Sequence, residues 1–433
     1  MNQLGLSLSG GGYRAAAFHL GTLLKLEKMK LLSQVDVLST ISGGSITGAA
    51  WASYAGQYED FHKDMVTKLH QKSVIGYVLL SWIFFRTLAI ALVFIGGAFY
   101  LTLTRYGAFS FPVLILFSIL FLKFQYEIFP VSKVIERAYD KFFYNGMMLS
   151  DLKNKPILVI GSSNLHTGRP FVFSKIEMGD SNYSREYRPP VCFKHGCFPI
   201  ARAVAASSCV PFAFSPVKIY PMYFVDQNDS KRVRPVLVDG GVYDNQGIHK
   251  LTQPGSKYEC RFIITSDAGG KFIGEKKYPN TLTLLLRTVD LFMYRIKSFQ
   301  MQRNIYQNVR VGAKPIAYFS LGWQLDNIIP GFIKNMQQNQ VLPEVLAAHD
   351  LQQIWIDKPE QYQAAIQAHL EQHIDYATIK QRDLSAEEFA IAKGIGTNLT
   401  GLSSNAIEHL IRHAENLTEI QVKLYCPTLP VKQ

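Results

Sequence analysis

The sequence predicts an α/β fold, a three-layer sandwich in which a mostly parallel central sheet lies between helices. Residues 4–8 form a short apolar run that a glycine-rich loop connects to an amphipathic helix. Residues 35–40 form a second apolar run that passes through small residues into another helix. A third apolar run, residues 235–238, ends at Asp239. Strands that alternate with helices in this way are typical of a sheet with parallel neighbours.

The loop after the first strand contains three consecutive glycines, Gly10, Gly11 and Gly12. Backbone N–H groups at the start of a helix favour negative charge, so such a loop suits either a phosphate or an oxyanion. A dinucleotide site also needs an acidic residue at the end of the second strand, and a P-loop needs a lysine; neither is present. The loop therefore favours an oxyanion hole, which requires a nucleophile nearby.

The candidate nucleophile lies in the segment LSTISGGSITGAA, residues 38–50, where the second strand turns into a helix. In a nucleophile elbow a serine stands at this turn in a G-x-S-x-G pattern. Ser42 stands at the junction with Gly44 two places after it, although Thr40 replaces the glycine two places before it. Ser45 falls within the first helical turn, where serine usually acts as a cap. Ser42 is therefore the favoured nucleophile, and the alternative is an ordinary turn of small residues.

A base for this serine is not apparent among the histidines. His19 lies inside the first helix, and the others with helical surroundings lie in a polar C-terminal stretch: His349, His369, His373, His409 and His413. Asp239 is a better candidate because it follows a buried-looking strand, and ligands of an open α/β sheet gather at the carboxyl ends of its strands. The alternative is that Asp239 and Gly240 only form a hairpin turn.

Several blocks of the chain resemble the signature segments of patatin-like phospholipases. These are residues 10–14 (GGGYR), residues 40–44 (TISGG) and residues 239–241 (DGG), and residues 157–174 and 201–217 are also similar to family segments. The resemblance extends over roughly residues 1–72 and 150–300. The departures are Thr40, in place of the first glycine of the elbow, and Ala15, where a glycine often follows the arginine.

The resemblance implies a Ser–Asp dyad that hydrolyses acyl esters of lipids without a cofactor or metal ion. Carried over by position, Ser42 is the nucleophile, Asp239 is its base, and Gly10, Gly11 and Gly12 supply oxyanion donors, with help from the N–H of Gly43. An aspartate can act as this base if exclusion of water raises its pKa and strengthens its hydrogen bond to the serine.

Residues 74–123 form an apolar block that interrupts this pattern. No charge occurs from Thr87 to Thr104, which is about the length needed to span a hydrocarbon core. A turn follows, and residues 108–122 are apolar again. The alternative is a pair of buried core helices, but the block is hydrophobic all round and is bordered by aromatic residues typical of membrane interfaces: Trp82, Tyr100, Tyr106 and Tyr126. We expect an inserted membrane hairpin, as a full span or a re-entrant one.

An even number of crossings would return the chain to its starting side, so that Ser42 and Asp239 share one compartment. Basic residues flank the block on both sides: Lys63, Lys68 and Lys72 before it, and Lys123, Lys133, Arg137 and Lys141 after it. This bias places the catalytic domain on the cytoplasmic side. Five sparse cysteines fit a reducing compartment, and no signal peptide is expected. The net charge of +12 suggests an anionic membrane surface, because no nucleic-acid motif accompanies it.

The predicted organisation is a catalytic domain over residues 1–310, the hairpin at 74–123 within it, and a helical C-terminal region over 311–433, where Ser385 and Glu388 form a capping box. The leading function is a membrane-attached serine acyl hydrolase of the phospholipase A or lysophospholipase kind, whose partners are membrane phospholipids or other acyl lipids. A lipid acyltransferase and a non-catalytic lipid-binding scaffold are the alternatives. The sequence identifies no protein partner.

Overall fold

The structure, a computed structural model, describes residues 2–269, 278–307 and 313–429. Its centre is a nine-stranded sheet in this part of the chain. The strands are β1 Asn2–Leu8, β2 Val37–Ile41, β3 Ile157–Asn164, β4 Arg169–Phe173, β5 Met178–Gly179, β6 Val217–Lys218, β7 Val236–Asp239, β8 Cys260–Asp267 and β9 Ile316–Ser320.

The middle of the sheet is parallel. Strands β3, β2, β1, β8 and β9 lie side by side in that order, and each adjacent pair is parallel. Strands β4 and β5 extend the β3 edge in antiparallel pairing, and β6 and β7 form an antiparallel branch that also joins β3. The predicted α/β class with a mostly parallel central sheet is confirmed.

Alternate residues of the central strands pack into two separate apolar clusters. Phe262 and Ile264 of β8 belong to the larger cluster, whereas Ile263 belongs to the smaller one on the opposite face. Both faces of the sheet are therefore buried, as expected for a parallel sheet between helical layers.

The helices flank this sheet and form most of the C-terminal part. They are α1 Gly12–Lys28, α2 Gly43–Ser53, α3 Tyr58–Gln71, α4 Val74–Leu79, α5 Trp82–Thr102, α6 Ser110–Ile128, α7 Val131–Tyr139, α8 Ser181–Arg185, α9 Ile200–Ser207, α10 Asp229–Arg232, α11 Gly241–Asp244, α12 His249–Thr252, α13 Thr281–Met301, α14 Ile328–Gln337, α15 Pro343–Ala347, α16 Gln353–Asp357, α17 Gln363–His373, α18 Tyr376–Gln381, α19 Ala386–Gly394 and α20 Ser404–Tyr425.

Helices α5 and α6 form a hairpin whose side chains lie almost entirely outside the core. Both are long and apolar enough to cross a membrane, and Ala98 is the one buried residue in the two helices. Their 21 and 19 residues correspond to about 30 Å each at about 1.5 Å per residue. The preceding helix α4 differs, because Val74 and Val78 are buried in the main cluster. The exposed hairpin therefore begins at α5 and not at residue 74.

The C-terminal part packs against the catalytic layers. Strand β9 pairs with β8 in the central sheet, and helix α20 lies along α1, where Lys25 and Glu419 form an ion pair of 2.6 Å. The capping box of Ser385 and Glu388 is confirmed at the start of α19. The division at residue 310 stays a prediction, and the segment after it contributes both a strand and core helices.

Candidate active site

Ser42 occupies a sharp turn between strand and helix. Strand β2 ends at Ile41 and helix α2 begins at Gly43. The backbone of Ser42 has φ 49° and ψ −118°, a conformation that a residue with a Cβ atom adopts only under strain. Strain of this kind is typical of a nucleophile elbow, where the turn lifts the serine above the sheet.

The elbow lies in direct contact with the glycine loop that follows β1. A Cβ atom at position 43 would lie 2.2 Å from the carbonyl oxygen of Gly12, so only glycine fits there. The N–H of Gly44 donates to the carbonyl of Ser9 at 3.1 Å. A Cβ atom at position 10 would lie 3.1 Å from the Cβ of Ser42. The structure thus brings together the two glycine-containing segments singled out in the sequence.

Asp239 reaches Ser42 from an antiparallel strand. Ile41 of β2 is paired with Gly161 of β3, and the next residue of β3, Ser162, is paired with Asp239 of β7. Strands β2 and β7 therefore approach each other end to end along β3. Asp239 is followed by helix α11 rather than by a paired strand, which rules out the hairpin-turn alternative.

The carboxyl group of Asp239 is buried and hydrogen-bonded. Its Oδ1 accepts the N–H of Gly241 at 2.7 Å, and the Ser42 side chain lies close enough to lower the pKa of the carboxyl group. Burial disfavours the charged form and raises the pKa of Asp239 from 3.8 to about 6, although the N–H of Gly241 and the Ser42 side chain lower it in part. Asp239 is therefore ionised at neutral pH and far more basic than an exposed aspartate.

The glycine loop presents amide groups beside this pair. The N–H of Gly10 donates to the carbonyl of Asn245 at 3.0 Å, and the N–H of Tyr13 donates to the carbonyl of Asn398 at 2.8 Å. Between them, the N–H groups of Gly11 and Gly12 have no backbone acceptor among the described residues. These two N–H groups belong to the first turn of α1, where the helix dipole favours an anion.

Thr40 and Ser45 belong to a buried polar network under the elbow. The Ser45 hydroxyl donates to Thr40 Oγ1 at 3.0 Å and lies 3.1 Å from the Oγ of Ser207. Ser45 is fully buried, so it is engaged in structure and does not face a substrate. Thr40, which departs from the glycine of the elbow pattern, is accommodated because its hydroxyl has this partner.

No hydrogen bond joins Ser42 or Asp239 to a histidine in the described part of the chain. His19 lies under the loop, where its ring nitrogens contact the carbonyl of Ser9 and the hydroxyl of Ser266, each at 2.9 Å. Burial lowers the pKa of His19 to about 4, so the ring is neutral and structural.

Two residues that contact the site were not identified from the sequence. The carbonyl of Asn245 accepts the N–H of Gly10, and the Oγ of Ser207 accepts the N–H of Ser42. Ser207 lies in the family-like segment 201–217, and Asn245 lies shortly after the family-like block 239–241. Their contacts depend on the packing of distant segments, so local pattern carried no signal for a role.

A family model described as patatin-like phospholipase matches residues 6–252 of this chain, which is more than half of its length and includes all three signature blocks. The chain belongs to the patatin-like phospholipase family. This confirms the family that the sequence resembles. A search of curated protein sequences finds no match.

Solved structures of two proteins are similar to this patatin-like chain at low identity. Human GIVD cytosolic phospholipase A2 is 14% identical with a TM-score of 0.46, and the match covers 99% of this chain and 62% of that one. VipD from Legionella pneumophila is 13% identical with a TM-score of 0.33, and the match covers 96% of this chain and 92% of that one. The chain thus spans less than two thirds of the human phospholipase.

Proposed function

We propose that this patatin-like chain hydrolyses acyl esters of lipids, with Ser42 as nucleophile and Asp239 as general base. The observation that carries the proposal is the position of Asp239, a buried carboxyl group at the strand end that faces the strained turn of Ser42, with a pKa raised to about 6. A base with a pKa near the working pH is ionised and still accepts a proton effectively.

The reaction follows from this arrangement. The Ser42 hydroxyl attacks the ester carbonyl while its proton passes to Asp239. The N–H groups of Gly11, Gly12 and Gly43 stabilise the negative oxygen of the tetrahedral intermediate, whereas the N–H of Gly10, also predicted as a donor, is engaged with the carbonyl of Asn245. The intermediate then releases the alcohol, which takes the proton from Asp239, and leaves an acyl-Ser42 ester. Water attacks this ester by the same steps in reverse and regenerates the enzyme.

The hairpin supports a membrane location for this chemistry. Large apolar side chains of α5 and α6 are exposed, among them Val93, Phe99, Phe111 and Ile119, at 57–72% of their surface. Exposure on this scale suits contact with lipid tails and does not suit contact with water. The chain is thus proposed to be anchored in a membrane, with lipids as substrates and the catalytic domain on the cytoplasmic, more basic side.

Labelling with a fluorophosphonate tests the nucleophile. The parent protein and Ser45→Ala should be labelled, because Ser45 is buried in the network beneath the elbow, whereas Ser42→Ala should not be labelled. Labelling that survives Ser42→Ala would refute the assignment of the nucleophile. A parent protein that binds lipid but takes no label would favour the non-catalytic scaffold instead.

Product analysis separates hydrolysis from acyl transfer. With a phospholipid in water we expect free fatty acid, and an added lysolipid or glycerol acceptor should not divert the acyl group. Acylated acceptor as the main product would favour the acyltransferase alternative, which uses the same acyl-Ser42 intermediate.

A further inference from the structure

Ser207 ends helix α9 inside the family-like segment 201–217 and is fully buried. Its side chain sits directly beneath the nucleophile. The Oγ of Ser207 accepts the backbone N–H of Ser42 at 2.9 Å and donates to the carbonyl of Gly161 at 2.6 Å. One hydroxyl therefore connects the strained elbow to strand β3.

The backbone around Ser207 holds the other half of the dyad. The carbonyl of Ser207 accepts the N–H of Gly240 at 3.0 Å, and the carbonyl of Cys209 accepts the N–H of Asp239 at 2.8 Å. The side chain of Ser207 thus binds the loop of the nucleophile while its carbonyl binds the loop of the base. In the described part of the chain, no other side chain accepts the N–H of Ser42.

We infer that Ser207 is a positioning residue that sets the distance and orientation of Ser42 relative to Asp239. The inference rests on the proposed Ser42–Asp239 mechanism and adds to it a third side chain that touches neither substrate nor reacting atoms.

The physical reason is the strain at Ser42. A serine at positive φ relaxes toward an ordinary conformation unless its surroundings hold it. At the start of α2 the N–H of Ser42 has no partner within the helix, and a buried N–H without an acceptor is destabilising. By accepting this N–H, Ser207 stabilises the strained conformation that directs the Ser42 hydroxyl to Asp239.

The neighbouring Ser208 offers a matched control. It is also buried and its hydroxyl is also satisfied, but by the carbonyl of Val204 at 2.8 Å and the hydroxyl of Tyr139 at 3.1 Å. Ser207→Ala and Ser208→Ala remove the same atom from adjacent buried positions. Only Ser207→Ala removes a contact with the elbow.

The experiment compares full-length parent, Ser207→Ala and Ser208→Ala on a soluble short-chain ester, with thermal unfolding measured in parallel. We expect Ser207→Ala to lower kcat by about 10-fold to 100-fold with KM little changed, since a small misplacement of a reacting group has costs of this order. Ser208→Ala should keep kcat within about threefold of the parent, by the same reasoning on geometry. Both variants should remain folded at the assay temperature.

The pH profile gives a readout that a purely structural role would not change. The Ser42 side chain lowers the pKa of Asp239, so loosening Ser42 should move the acid limb of kcat/KM to higher pH in Ser207→Ala only. Equal kcat in the two variants, with the acid limb unmoved, would overturn the inference.

If Ser207→Ala does not fold, Ser207→Cys, a weaker acceptor of similar shape, takes its place, and parental kcat in that variant overturns the inference as well. A parent protein without esterase activity or fluorophosphonate labelling would refute the proposed function itself, which is a different outcome.

Discussion

Ser42 and Asp239 stand at the facing ends of two strands that run toward each other along the same side of β3. Ile41 is paired with Gly161 and Asp239 with the adjacent Ser162, so the ends of β2 and β7 face each other with no unpaired residue of β3 between them. The contact therefore depends on the sheet and not on a flexible loop. Rigid support of this kind suits a dyad, which has no third side chain such as a histidine to bridge a longer distance.

The pH dependence of hydrolysis should report Asp239. Because its pKa is raised to about 6, kcat/KM on a soluble short-chain ester should fall about tenfold per pH unit below that value and level off above it. Thermal unfolding at each pH serves as the control for loss of structure. An acid limb that remains near pH 4 in a folded protein would show that Asp239 is not the base.

Asp239→Asn should abolish hydrolysis and stabilise the fold at alkaline pH. Loss of the general base is expected to lower kcat by roughly 10²–10⁴-fold. The folded protein holds the Asp239 proton more tightly than the unfolded chain does. Ionisation of Asp239 therefore does not lower the free energy of unfolding below pH 3.8, and it lowers that free energy by the full amount above about pH 6. A pKa difference of about two units corresponds to about 3 kcal/mol, so the unfolding free energy of Asp239→Asn should exceed that of the parent at pH 8 by up to about this amount and match it at pH 4.

Asp267 provides a control of opposite sign for this measurement. It is also fully buried, and burial alone would raise its pKa, but the charge and hydrogen bond of Lys297 and the hydroxyl of Tyr318 hold the pKa of Asp267 below its usual value. Asp267→Asn should therefore destabilise the protein at pH 8, where Asp239→Asn stabilises it. The same direction of change in both variants would contradict the assigned environments.

The sequence predicted Ser42 and Asp239 as candidates because each follows an apolar strand at a glycine-rich turn, in a block that resembles the family. Their proximity was expected from a parallel sheet, whereas the structure brings them together through antiparallel β7. Which strands pair is a long-range property that no local pattern encodes. Thr40 departs from the glycine of the elbow pattern. The partner that accommodates its side chain, the hydroxyl of Ser45, is apparent only once α2 is folded. Ser207 carried no local signal, since the hydroxyl of a buried serine at a helix end usually donates to a carbonyl of its own helix.

The position of Gly12 yields a test of the oxyanion loop with a matched control. Gly12 has φ 61° and Gly168, in the turn after β3, has φ 65°, so alanine should introduce similar backbone strain of about 1 kcal/mol at both. A Cβ atom at position 168 meets nothing within 4 Å, whereas one at position 12 would lie 2.3 Å from the carbonyl oxygen of Asn398. Gly12→Ala should therefore displace the loop and lower kcat at least tenfold beyond any effect of Gly168→Ala, by analogy with loss of an oxyanion donor. Equal activity in the two variants would argue against Gly12 as a donor.

Extraction from membranes should distinguish the two ways in which this protein could be held there. If the net charge of +12 alone attached it to anionic lipid, high salt would release it, because surface charges are screened beyond about 10 Å at roughly 0.1 M salt. Burial of α5 and α6 in lipid is not weakened in this way. We therefore expect the protein to stay in the membrane pellet in both high salt and carbonate.

Removal of the hairpin tests whether α5 and α6 serve only as an anchor. The deletion should cover residues 82–128 and keep α4, since Val74 and Val78 belong to the core. A short flexible linker can replace the hairpin because its two ends are adjacent: the Thr87 hydroxyl donates to the carbonyl of Ile128 at 3.2 Å. The product should be released from membranes and hydrolyse a soluble short-chain ester at a rate near that of the parent. Its rate on phospholipid vesicles should fall, because the active site is no longer held at the lipid surface.

A deletion starting at residue 74 is the control and should unfold, since it exposes the cluster against which α4 packs. If the shorter deletion also unfolds and loses both activities, then α5 and α6 are part of the folded core, and the membrane anchor would be disproved.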